Sequence, residues 1–283
     1  GGRPEGSECG PASLAALCKS TSEDTWGLKD VNGAPGDKIA AVERTGFWEG
    51  TLAGHGFGGR LKIRKEDRMK IFDGCRAFIW RHYQENNCNA YLIDRNKRIV
   101  IDPGHEHLFR HVRQGLENAS VSLAAVDLVV ATHGHPDHLE GVRILGKPTL
   151  FAMNEEEYAY IRELAGGYFR IPEPDFFLRE GDLNVGSDSF QIISTPGHTP
   201  ASICLYWPAA KALFTGDVIF NQGIGRTDLP GGSGEQLKAS IERLAELDVE
   251  FLLPGHGEPV IGKQAVEANF QAVRDYWFPY LSL

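Results

Sequence analysis

From residue 69 onward, short apolar runs alternate with turn residues and with stretches of helical spacing. Residues 89–94 and 98–102 read as two strands joined by the polar turn Arg95-Asn96-Lys97, and residues 75–83 alternate loosely ahead of them. Residues 106–119 place Leu108, Val112 and Leu116 at helical spacing. The apolar run 126–131 predicts a buried strand, and 137–145 a helix leading away from it. A short strand is expected over 149–152. A helix follows over 154–165, with Asn154 placed to cap it and Glu157 at the third position of a capping box. Strands recur over 190–194, 202–207 and 212–215. Ser233-Gly234-Glu235-Gln236 has the capping-box pattern for a helix running to about residue 247, and a strand over 250–253 and a helix over 263–276 complete the chain. Hairpins alternating with βα units predict an α/β fold of two sheets packed face to face with helices outside, an αββα sandwich.

The first 67 residues differ in texture. Thirteen of the 33 glycines fall in the first 60 positions, which disfavours long regular elements there. Residues 1–67 are therefore set apart as an irregular, glycine-rich N-terminal extension of unassigned role, with one short helix expected over 11–19, and residues 68–283 as the catalytic domain. The loop Gly54-His55-Gly56-Phe57-Gly58-Gly59 looks superficially like a phosphate cradle, but no strand precedes it and no Gly-Lys-Ser/Thr follows. It reads as a connector, and the extension, whether an arm on the core, a partner-binding segment or part of an oligomer interface, is expected to be dispensable for a folded, metal-bound core.

Composition narrows the function classes. A formal net charge of −9 with no basic run argues against nucleic-acid or anionic-membrane partners, and no stretch of about 18 apolar residues predicts a membrane span. The five cysteines (Cys9, Cys18, Cys75, Cys88 and Cys204) are odd in number and contain no Cys-x-x-Cys, which fits reduced thiols and a cytoplasmic location. A small-molecule substrate is the expected partner, and homo-oligomerisation stays open.

The chemistry is concentrated in Thr132-His133-Gly134-His135-Pro136-Asp137-His138, directly after the apolar run. Three imidazoles and a carboxylate leaving one strand end are nitrogen and oxygen ligands suited to zinc, iron or manganese. Three later stretches repeat one design, a strand, a glycine turn and a His or Asp. They are Thr195-Pro196-Gly197-His198, Phe214-Thr215-Gly216-Asp217 and Leu253-Pro254-Gly255-His256. Glycine lets the chain turn sharply so that the next side chain enters a common cleft. Seven ligands exceed the needs of one ion and suit two divalent metals about 3.5–4 Å apart. His133, His135 and His198 are assigned to one metal, and Asp137, His138 and His256 to the other. Asp217 bridges, because a carboxylate has two oxygens. Zinc is the first expectation, with iron or manganese as alternatives.

This ligand set resembles the metallo-β-lactamase superfamily, and Gly225-Arg226-Thr227-Asp228-Leu229-Pro230-Gly231-Gly232 after Asp217 resembles its hydroxyacylglutathione hydrolase (glyoxalase II)-like branch. The resemblance spans about residues 69–280. It implies an αββα fold with the site at one edge of the sheets. It also implies metal-dependent hydrolysis, most simply of a small acyl thioester, by a metal-bridging hydroxide that Asp137 and Asp217 orient, accepting the proton that the parent water loses. Glyoxalase II enzymes carry a larger C-terminal helical part than the 27 residues after His256 allow, so the thiol carrier is left open.

Arg226 is the candidate cation for a substrate carboxylate, set against an equal structural reading in which it bonds loop carbonyls or Asp228. Asp102 is a candidate to orient a ligand histidine. His55, His82, His105, His107 and His111 are read as solvated. Two other activities of the superfamily remain as alternatives. One is an iron-dependent persulfide dioxygenase using His133, His198 and Asp217, against which Pro254-Gly255-His256-Gly257 looks more hydrolase-like. The other is a lactonase or β-lactam hydrolase on the same metals. A non-catalytic module is disfavoured by the complete ligand set.

Overall fold

The computed structural model describes residues 69–82 and 84–281. The expectations for residues 1–67, including the short helix, the glycine loop, Cys9, Cys18 and His55, lie outside the described residues. Two sheets form the centre. The first has seven strands in sequential order: β1 (Lys70–Phe72), β2 (Cys75–Phe78), β3 (Ala90–Asp94), β4 (Arg98–Ile101), β5 (Leu128–Val130), β6 (Leu150–Asn154) and β7 (Phe176–Leu178). Neighbours are antiparallel as far as β4 and parallel from β4 to β7. The second contains β8 (Gly181–Val185), β9 (Asp188–Ser194), β10 (Ile203–Trp207), β11 (Ala212–Gly216), β14 (Phe251–Pro254) and β15 (Val260–Ile261), in the order β15-β14-β11-β10-β9-β8. The two-residue strands β12 (Ile219–Phe220) and β13 (Gly223–Ile224) form a separate hairpin.

Alternation along the strands sorts the core into three layers. Tyr91, Ile93, Ile99, Ile101, Leu128 and Val130 face Phe190, Ile192, Leu205, Trp207 and Phe214 between the sheets. The opposite face of the first sheet, including Leu92, Val100 and Val129, is covered by Val112 and Leu116 of helix α1 (Arg110–Asn118) and by Tyr158 and Ile161 of helix α4 (Glu155–Ala165). Tyr206, Leu213 and Leu252 on the outer face of the second sheet pack on Leu237 and Ile241 of helix α5 (Gly234–Leu244) and on Phe270 and Val273 of helix α6 (Lys263–Leu281). The result is the expected αββα sandwich. Among the described residues no helix is long and apolar enough to cross a membrane.

Several local expectations change. The helix over 137–145 is two single turns, α2 (Pro136–Leu139) and α3 (Val142–Leu145). They part at Gly141, whose N–H donates to Gly104 O (2.7 Å) and whose Cα lies too close to Pro103 O for any side chain. Helix α1 begins at Arg110, four residues later than its spacing suggested. Both predicted N-caps are present, but only half of each capping box is. Asn154 accepts from the backbone N–H groups of Glu156 and Glu157, and Ser233 from that of Gln236. The reciprocal bonds are replaced: the Ser233 N–H donates to Gly197 O (2.7 Å), and the Glu157 side chain turns into the interior.

Candidate metal centre

Strand direction gathers the ligands. β4 and β5 are parallel, so Asp102 and the turn after Val130 leave the first sheet at the same edge. In the second sheet β9 and β11 both pair antiparallel with β10, and β14 runs parallel to β11. The turns carrying His198, Asp217 and His256 therefore also leave at one edge. The Ile203 N–H donates to Thr132 O (2.9 Å), joining that edge to the first sheet, and the Gly255 N–H donates to Gly216 O (2.7 Å), setting the Asp217 and His256 turns side by side.

All seven sequence-nominated ligands meet there. The donor atoms of His133, His135 and His198 lie within 4.8 Å of one another, as do those of Asp137, His138 and His256 and those of His133, His138 and Asp217. His135 Nδ1 is 3.1 Å from His133 Nε2 and 2.9 Å from His198 Nε2. His256 Nε2 is 3.3 Å from both His138 Nε2 and Asp137 Oδ2. Asp217 lies between the two sets, 3.2 Å from His138 Nε2, 3.5 Å from His198 Nε2 and 3.4 Å from His256 Nε2. Ligands about 2.0–2.1 Å from a tetrahedral ion sit about 3.3 Å from each other, which is the spacing of these atoms.

Hydrogen bonds to the outer nitrogens turn the Nε2 atoms of three imidazoles inward. Asp102, left-handed at φ 53°, is buried at the end of β4. It accepts from Thr132 N–H and Thr132 Oγ1 (2.8 Å each) and from His138 Nδ1 (2.9 Å). The Thr132 hydroxyl gives its proton to Asp102, so it accepts from His133 Nδ1 at 3.1 Å. His198 Nδ1 donates to the Arg226 carbonyl at 2.8 Å. With Nδ1 committed in this way, His133, His138 and His198 turn Nε2 toward one another and toward Asp217; neutral His133 and His198 present it bare, whereas His138 must give up a proton there to act as a ligand. Asp217 Oδ1 is itself buried without a hydrogen-bond partner. Inward-facing imidazole nitrogens around a buried carboxylate are a donor set that could hold a cation.

The two sets differ electrostatically. Burial pushes His133 and His198 down and His135 down to about 4. Burial acts in the same direction on His138 and His256, but Asp217 and its neighbouring carboxylates outweigh it, raising His138 well above its usual range and His256 to about 10. Burial would raise Asp137 and Asp217, and the adjacent His138 and His256 instead hold both below the usual carboxylate range. A cation entering this half competes with those imidazole protons.

Asp102 meets the expectation for a residue that orients a ligand. Asp102→Asn keeps the size but loses an acceptor for His138 and Thr132. The expected outcome is a folded protein whose metal affinity falls roughly 10–100-fold, checked by chelator competition.

Arg226 forms two bonds to Asp228, Nε to Oδ1 (2.8 Å) and Nη2 to Oδ2 (2.7 Å), while its carbonyl orients His198. His105 is buried rather than solvated, with Nδ1 2.9 Å from Glu140 Oε2. His111 Nε2 is 2.7 Å from Phe78 O. Both corrections arise because the chain after β4 folds back onto α2 and the first sheet. His82 and His107 are exposed. Residues around 86–89 carry site contacts that the sequence reading passed over. Asn86 Nδ2 donates to Asp137 Oδ2 (2.8 Å). Asn89 Nδ2 donates to Pro254 O (2.9 Å) and Gly257 O (2.8 Å), holding the His256 turn. Three asparagines flanking Cys88 just before a strand were the available signal.

Two stacked sheets with seven metal-type side chains gathered at one edge define an αββα scaffold of the kind that can hold metal ions. Residues 83–256 match the metallo-beta-lactamase superfamily, and the chain belongs to it. Among its relatives, the probable metallo-hydrolase MJ0888 of Methanocaldococcus jannaschii is 35% identical over 184 residues, 60% of this chain and 87% of that protein. Hydroxyacylglutathione hydrolase GloC of Haemophilus influenzae is 33% identical over 187 residues, 61% of this chain and 86% of its own. Among solved structures, TTHA1623 in a di-iron-bound form is 28% identical, with a TM-score of 0.51 over 62% of this chain and 89% of that one.

Proposed function

We propose that this protein is a binuclear metal-dependent hydrolase of small acyl thioesters. The observation that carries the reading is the shared geometry of the two ligand trios, with Asp217 within 3.5 Å of nitrogens from both. The similarity to hydroxyacylglutathione hydrolase GloC supports the substrate class. Divalent ions held there would polarise a thioester carbonyl and make water acidic enough to act as a nucleophile near neutral pH.

The chain's own residues supply orientation and proton handling. Asp217 holds the two sets at one separation. Asp137 is fixed by Asn86 on the Oδ2 side and faces His256, so its carboxylate is aimed at the cleft and placed to accept a proton from the attacking water. Asp102 keeps His138 and His133 in the ligating tautomer. Zinc is the proposed metal, and the similarity to a protein solved in a di-iron-bound form supports iron as the alternative. Elemental analysis of protein purified without added metal, paired with thioester hydrolysis, tests the reading. About two zinc ions per chain with turnover is the expected result. One iron per chain with persulfide oxidation and no thioesterase activity overturns it.

Arg226 is proposed as the substrate-side cation. Its pair with Asp228 is about half exposed, where water and salt weaken ion pairs, so a substrate carboxylate can compete for the guanidinium. Arg226→Ala is expected to lower kcat/KM for an anionic thioester roughly ten- to a hundredfold, with a smaller loss on a neutral one of equal size. Equal losses on both would assign Arg226 to holding its loop and, through its carbonyl, His198.

A further inference from the structure

Glu157 stands three residues into α4 with its side chain fully buried. Its Oε1 accepts from the Gly134 N–H (2.9 Å), and its Oε2 from Thr199 Oγ1 (2.9 Å) and the Ala201 N–H (3.0 Å). Gly134 lies between His133 and His135, and Thr199 directly follows His198. One carboxylate thus spans two loops that are about 65 residues apart in sequence and together carry three imidazoles of one trio. None of its hydrogen bonds goes to the loops bearing Asp217 or His256, or to Asp137 and His138 themselves.

Two further facts show that the contact is built. A methyl group on Gly134 would lie 2.2 Å from Ile161 Cγ2 and 3.1 Å from Glu157 Oε1, so the His133–His135 loop is pressed onto α4 as closely as bare backbone allows. Burial disfavours a carboxylate, a cost that three converging donors offset and an apolar side chain would avoid altogether. Burial pushes the Glu157 carboxyl up, and the hydrogen bonds from Thr199, Gly134 and Ala201 oppose that rise.

We propose that Glu157 is the positioning residue of the His133/His135/His198 trio, setting the separation of its two loops and thereby the affinity of that half of the centre for its metal. The proposal rests on the reading of the site as a two-metal centre. A glutamine cannot replace the glutamate. Its single oxygen satisfies one loop, and its amide N–H groups then face a backbone N–H of the other, so one loop is released.

Zinc titration against a chelating dye tests this with wild type, Glu157→Gln and Thr199→Val, alongside His135→Ala and His256→Ala to mark the step belonging to each trio. Thermal melts of the metal-free proteins accompany the titrations. The expected result for Glu157→Gln is a roughly 10–100-fold weakening of the step that His135→Ala removes, with the step that His256→Ala removes changed less than threefold. Thr199→Val, which keeps the carboxylate and loses one donor, should show the same selectivity at smaller size and stands in if Glu157→Gln does not fold. Two unchanged steps in the variants, or parallel weakening of both with a lowered melt, overturn the proposal. A wild type that binds no zinc or only one ion overturns the two-metal reading itself, so the two failures are told apart.

Discussion

Asp217→Asn is expected to cost more activity than removal of any residue that merely supports a ligand. The side chain is buried, Oδ1 has no hydrogen-bond partner, and nitrogens of His138, His198 and His256 lie within 3.5 Å of its two oxygens. Two divalent ions about 3.5–4 Å apart repel about four times as strongly as unit charges, on the order of 15 kcal/mol at an effective dielectric near 20. A shared anion relieves part of that repulsion. Asparagine is neutral and offers one oxygen, and its amide protons point toward lone pairs or a cation. Metal content should fall from about two ions per chain to about one. The drop in kcat/KM should exceed the roughly 10–100-fold typical of lost outer partners. Elemental analysis and thioester kinetics on the same preparation check this. Two ions with full turnover would remove Asp217 from the bridge.

Gly255→Ala should inactivate the centre without deleting a ligand. The added carbon would sit 2.4 Å from Asp217 Oδ1 and 2.6 Å from His138 Cε1, well inside contact distance. The Gly255 N–H is bonded to Gly216 O and its carbonyl accepts from the Asn89 N–H, so the turn cannot retreat without breaking both sheets' hold on it. Overpacking of this kind costs about 1–3 kcal/mol of stability, which the rest of the fold can absorb. Displacing Asp217 and His138 from ligating distance is the larger consequence. Loss of one or both metals and at least a hundredfold loss of kcat/KM are expected, in a protein that still unfolds cooperatively. Gly257→Ala is the control for crowding: its added carbon meets nothing within 4 Å, and its φ of +79° adds backbone strain without a clash. Equal behaviour of the two variants would mean that the close packing at Gly255 does not govern the site.

Much of the centre was legible locally. His133, His135, Asp137 and His138 fall within six positions after an apolar run, and His198, Asp217 and His256 each follow a glycine at a strand end. Strand interiors carry continuous burial and helices carry a 3.6 period, so the αββα layering could be read from hydropathy alone. Strands β12, β13 and β15, each two residues long, are too short to show a period, and β8 exposes most of its residues.

The residues that make the ligands work depend on distance in sequence. Asp102 reaches His138 across 36 positions, Asn86 reaches Asp137 across 51, and Glu157 reaches Gly134 across 23 and Ala201 across 44. Each has a sound local alternative as a turn residue, a polar loop residue or a capping-box partner. Local pattern cannot choose between a carboxylate that closes its own helix end and one that binds a neighbouring loop, because the donors belong to other elements. The sequence by itself determined which atoms can bind metal and at which strand ends they stand. Only the packing of α4 and the two sheets decided how far apart those ends are held and which nitrogen His133, His138 and His198 turn toward the centre.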